Sequence, residues 1–266
     1  MTGRFYAMFL AAFAAVGVFS PSVAHAQPDN TSCANAHFLF LGERAQYTIA
    51  STGSLFFKAR VTANRSYSVL AWGPSQAVGK GGVNLGVTLY SDSSCMTGAA
   101  GVDSTDYEPL VSLVPGHDSD SDSLIPPADG VVYIQVANNI GASYTMHVLI
   151  IETTLFSPWW FTGGTNQAFV EVRNNMNDTT DAKLTAYGAT GVVCGTTTLS
   201  IPRNGNTAVA INSLGSCAST LSGSAQIAFP GTPAGLVANI TTIDAVNGTS
   251  FDSPFTPRMV WSTFSR

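Results

Sequence analysis

The chain has 266 residues, of which 45% are apolar and only 10% charged, and its formal net charge is −5. Eleven thinly spread basic residues cannot neutralise a phosphate backbone, which argues against nucleic acid as a partner. The apolar content, set in recurrent strand-like runs, argues against a disordered chain despite the abundance of Ser, Thr and Gly.

Residues 1–26 have the parts of a signal peptide: Arg4, the apolar core FYAMFLAAFAAVGVF, and the small-residue motif VAHA before Gln27. The core is short for a membrane span, and no second long apolar segment follows. The remaining chain, about 240 residues after such a cleavage, is expected to be secreted or periplasmic with no membrane span.

Period-two apolar runs then recur between turn-forming clusters. LFFKARV (55–61), SYSVLAW (66–72), NLGVTLY (84–90), GVVYIQVA (130–137) and YTMHVLII (144–151) form a first series of expected strands. The second series is AFVEVRN (168–174), AKLTAYG (182–188), TTTLSI (196–201), TAVAIN (207–212), GSAQIAF (223–229) and GLVANITTI (235–243). In AFVEVRN the alternation puts Glu171 and Arg173 on a solvent face, and the unbroken VLII at 148–151 suggests a strand covered on both sides. Short strands with frequent turns predict an all-β protein of two consecutive β-sandwiches, 27–152 and 153–266, with the break near Glu152–Ser157.

All four cysteines lie beyond residue 26, an even number in an exported chain, and this predicts two disulfides. Of three pairings, spacing favours Cys33–Cys95 and Cys194–Cys217, one per half, each stabilising by about 3–4 kcal/mol in the chain-entropy picture.

SCANA, GSLFFKARV, NLGVTLYSDSSC and above all LIPPADGVVYIQVANNIGASYTMHVLI resemble the bacterial pre-peptidase C-terminal domain over roughly residues 33–151. That resemblance implies a jelly-roll-like accessory module of exported proteins that brings no catalytic residue of its own. The second half is similar to Ig-like or fibronectin-like sandwiches of exported bacterial proteins, a likeness that implies no activity.

Half of the sixteen acidic residues fall between Asp92 and Asp129, and three alternate in PGHDSDSDSLIPPADG. Counted from Asp118, the side chains of Asp118, Asp120, Asp122 and Asp129 take positions one, three, five and twelve of a calcium loop. They are candidate calcium ligands, although position six is Ser123 rather than Gly and position twelve is Asp rather than Glu. The same stretch also suits a solvated acidic loop leading into the PPADG turn. No cofactor is otherwise implied.

Trp159 and Trp160 are adjacent in SPWWFTGG. In an extended segment their side chains point opposite ways, so one ring can be buried while the other offers a platform to a sugar face or a partner protein. Packing of both at the domain junction or in the second core is the alternative. Beyond residue 26 the only histidines are His37, His117 and His147, and neither G-x-S-x-G nor H-E-x-x-H occurs. The expectation is a non-catalytic exported protein that binds a glycan or an extracellular protein. A structural or adhesive envelope protein is the alternative, and a secreted hydrolase ranks behind both.

Overall fold

The computed structural model describes residues 29–74, 85–100, 102–103, 117–139 and 142–258. The expected signal peptide, Lys80, Asp106, Glu108 and Trp261 lie outside them. The protein is all-β, as the periodicity predicts.

The first half contains β1 (His37–Phe38), β2 (Ala45–Ile49), β3 (Ser54–Val61), β4 (Tyr67–Pro74), β5 (Leu85–Tyr90), β6 (Val102–Asp103), β7 (His117–Leu124), β8 (Gly130–Asn138) and β9 (Tyr144–Glu152). They form two sheets, ordered β1-β3-β8-β5 and β2-β9-β4-β7-β6. Successive strands mostly belong to opposite sheets, so the chain wraps around one core in a jelly-roll-like manner. Alternation builds that core: Leu55, Phe57 and Ala59 of β3, Val132, Ile134 and Val136 of β8, and Met146, Val148 and Ile150 of β9 are all buried. Each Val, Leu, Ile, Phe or Met among them contributes about 1.5–3 kcal/mol through burial.

The strand covered on both sides is β4, not the VLII stretch of β9. Ser68, Val69, Leu70 and Ala71 are all buried, whereas Leu149 and Ile151 stay half-exposed beside buried Val148 and Ile150. The reason is position, since β4 lies at the centre of its five-stranded sheet.

The second half contains β10 (Leu155–Phe161), β11 (Asn166–Asn174), β12 (Thr180–Gly188), β13 (Val193–Ile201), β14 (Asn206–Ala210), β15 (Ser222–Ala228), β16 (Leu236–Asp244), β17 (Thr249–Pro254) and β18 (Thr256–Pro257). Their sheets are ordered β13-β12-β15-β10-β18 and β14-β11-β16-β17, around a separate core that includes Val170, Leu184, Ile227, Ile240 and Trp160. Glu171 and Arg173 are exposed, as their parity requires. Cys33 is bonded to Cys95 and Cys194 to Cys217, the expected pairing.

Three of the four edge strands described in this half are blunted. At one edge, β17 and β18 carry Pro254 and Pro257, which cannot donate to an added strand. At the other, β13 runs nine residues with neither proline nor charge. A 3₁₀ turn, Gly215–Ser219, is tied to β13 by the Cys194–Cys217 bond, and Ser216 Oγ donates to the Cys194 carbonyl at 3.0 Å. At the far end Thr207 Oγ1 donates to the Ser200 carbonyl at 3.3 Å.

The two halves meet at the turn between β3 and β4. Asn64 there has φ of 59°, and its carbonyl accepts from Gln226 Nε2 at 2.6 Å while its Oδ1 accepts from Lys183 Nζ at 2.8 Å. Ser66 donates its N–H to Thr154 Oγ1 and accepts from Thr153 N–H, both at 2.8 Å. The two residues connecting β9 to β10 are therefore buried and bonded. The PPADG motif supports the same turn: the Pro126 carbonyl accepts from Asn64 N–H, and Asp129 Oδ1 accepts from Ala63 N–H at 2.7 Å.

Arg65 completes the junction. Its guanidinium stands 3.5 Å from the Glu152 carboxylate and 5.5 Å over the Phe156 ring. Burial pushes the Glu152 carboxyl above its usual range, with Arg65 and Arg258 acting against the rise. A raised folded pKa makes the Glu152 contribution full below its unfolded pKa and lost as pH climbs through the folded value. Glu152→Gln is thus expected to flatten this decline when denaturation is measured from pH 4 to 8. Arg65→Ala should cost about 2 kcal/mol at neutral pH. That is less than a fully buried pair would lose, because the Arg65 side chain is 23% exposed.

Candidate functional site

The acidic stretch does not form the loop that a calcium site of this spacing needs. Residues 117–124 are strand β7, hydrogen-bonded antiparallel to β4, with Asp118 opposite Gly73, Asp120 opposite Ala71 and Asp122 opposite Val69. An extended strand rises about 3.3 Å per residue, so these backbones run in a line and do not curl around a point. The Asp122 side chain is buried. Asp129 lies in the next turn, where its carboxylate serves the Ala63 N–H. Among the described residues no group of three or more His, Cys, Asp or Glu stands together as a metal site. The backbone of β4 accounts for the difference, since pairing with it satisfies the polar groups of a strand that has no apolar alternation of its own.

His37 stands edge-on to Tyr47, with ring centroids 5.9 Å apart. His147 lies across from Trp72 in the β4–β9 pair, stacked at 5.3 Å, and Arg44 covers both rings.

The tryptophan pair separates as parity suggests, but a bulge decides which ring goes inside. The β10–β15 register passes from Ser157 opposite Ala225 to Trp160 opposite Gly223, so Pro158 and Trp159 together face the single residue Ser224. Leu155 and Ser157 point inward. Unbroken alternation would send Trp159 inward next, and the extra residue hands that place to Trp160. Trp160 is fully buried, and its indole N–H donates to the Ser224 carbonyl at 3.0 Å, opposite the bulge. Trp159 is 43% exposed.

Trp159 has company that the sequence did not announce. It stacks on Phe251 of β17 at 4.8 Å and 25°, and on Phe161 at 6.1 Å and 11°. These centroid separations exceed face-to-face contact of about 3.5–4.0 Å, so the near-parallel rings are offset from one another. Phe251 is 38% exposed. The patch lies where the open sides of the two sheets approach each other, and just inside it Ser157 Oγ and Ser253 Oγ are 2.9 Å apart.

The β16–β17 turn leads into the strand that carries Phe251. Asp244 Oδ1 accepts from Thr165 Oγ1, Val246 N–H and Asn247 N–H, and Oδ2 accepts from Asn247 Nδ2 at 2.6 Å. The Asn247 amide above all, with the Thr165 hydroxyl, holds the carboxyl at about 2, down from 3.8. A depressed folded pKa means that this stabilisation is present above the unfolded value and lost as pH falls from about 4 through about 2. A carbon-detected NMR titration is expected to show that midpoint, and Asp244→Asn should speed amide exchange in the turn.

No protein-family model and no curated protein matches the chain.

Proposed function

We propose that this protein is a non-catalytic exported binding or accessory protein that holds a glycan or an extracellular protein on the Trp159–Phe161–Phe251 patch. The observation that carries the reading is that Trp159 and Phe251, which stack on one another, are both exposed, with Phe161 beside Trp159. Large aromatic surface left in water at a fixed position is costly unless a ligand covers it. The second sandwich presents the patch. The first, which resembles the pre-peptidase C-terminal domain, serves as the accessory module bonded to it through Asn64 and Arg65. Two disulfides suit an oxidising compartment, secreted or periplasmic. The proline-bearing edges at β17 and β18 and the covered β13 weigh against the adhesive alternative of assembly through those strands.

The reading requires no cofactor. A melting temperature raised by calcium relative to a chelator would add one. The test is a screen of polysaccharides and envelope proteins against the mature chain, repeated with Trp159→Ala. Retention that disappears in the variant supports the proposal, and retention indifferent to it, or none, overturns it.

A further inference from the structure

We infer that the ligand of the aromatic patch is an uncharged glycan, bound through the apolar faces of its sugar rings; this rests on the binding reading above and narrows it. Charge is the first argument. The strands that build and flank the patch, β10, β15, β16 and β17, contain no lysine or arginine. Their only ionisable carboxylates are Asp244 and Asp252. A uronate, a sulfated sugar or an acidic protein surface would meet no counter-charge from these strands.

Shape and surroundings are the second argument. Trp159 has near-parallel neighbours at 4.8 and 6.1 Å, a step comparable in scale to a sugar ring. Near-parallel, offset faces suit a flat ring whose C–H groups all point one way, and they suit an irregular peptide surface less well. Thr249, exposed on the same face of β17 as Phe251, adds a hydroxyl beside the rings. Such a group can exchange hydrogen bonds with sugar hydroxyls without any charge. Phe251 lies in the paired ladder of β16 and β17 and Trp159 in the β10 bulge, so both rings stand on strands before a ligand arrives, which limits the ordering cost of binding.

Isothermal titration of the full mature chain with neutral oligosaccharides (cello-, xylo- and manno-hexaose) and with anionic ones (oligogalacturonate, heparin hexasaccharide) tests this. Each is run at 50 and 500 mM NaCl, with Trp159→Ala and Phe251→Ala beside the unmodified chain. The expected result is binding of at least one neutral hexaose, weakened tenfold or more in both variants and changed less than twofold by salt. Binding confined to an anionic sugar, salt-sensitive and lost in Trp159→Ala, would overturn the uncharged class while sparing the patch as a binding site. Binding of any sugar that both variants retain, or binding of none, would overturn the inference. In the second case a protein ligand captured by the unmodified chain but not by Trp159→Ala would preserve the broader reading alone. Circular dichroism of each variant confirms that the sheets survive, since neither ring belongs to the buried core.

Discussion

Trp160→Ala is expected to destabilise the second sandwich by about 3–5 kcal/mol, the range for removing a fully buried large aromatic. The ring has no solvent exposure, belongs to the second core, and satisfies the Ser224 carbonyl opposite the bulge. Truncation leaves both a cavity and an unpaired acceptor. Trp159→Ala, one residue away, loses two ring stacks worth about 0.5–1.5 kcal/mol each but leaves no buried cavity, and should lower the melting temperature clearly less. Urea denaturation of the two variants tests the contrast. Similar losses in both would mean that the bulge does not partition the rings as described. Trp160→Phe, which restores apolar volume but not the N–H, should fall between.

Loss of the Cys194–Cys217 bond is the second large effect. Its loop spans 23 residues, for which chain entropy predicts about 3.4 kcal/mol. Both sulfurs sit in the core cluster, with Cys217 fully buried, so replacement by Ala adds a small packing loss. The double variant Cys194→Ala/Cys217→Ala should therefore unfold at clearly lower denaturant with the first sandwich unaffected. Cys33–Cys95 closes a longer loop of 62 residues, which predicts about 4.3 kcal/mol. It sits nearer the surface, where Cys95 is half-exposed, so mild reductant should open it first. Denaturation followed separately by probes in each half distinguishes the two bonds.

Particular strands show what the sequence could convey. β3, β8, β11 and β16 are legible because one face of each is buried and the other wet, which writes a period of two into the residues. β7 carries no such pattern. Its Ser and Asp residues look like a loop, and only pairing with β4, distant in sequence, makes them a strand. β10 is hidden for another reason, since Pro158 and the bulge break its alternation where the two tryptophans fall. The cysteine pairing was readable because each partner lies within its own half.

The patch was half legible. Adjacent tryptophans announce a ring that has nowhere to hide, but parity alone names the wrong one, and the bulge that corrects it depends on β15. Phe251 sits alone among Thr, Ser and Asp in TSFDSP, a cue that could have singled it out. Its stacking on Trp159, 92 positions earlier, could not have been read locally, because it follows from the closure of two sheets.

The small turn fastened over β13 by Cys194–Cys217 bears on where this polypeptide can be made. In a thiol-rich cytosol that fastening would never form, and a nine-residue, uncharged stretch free of proline would stand ready to recruit its own copies. Recombinant material from such a host should collect in inclusion bodies, and routing the same gene through an oxidising compartment should return it to the soluble fraction.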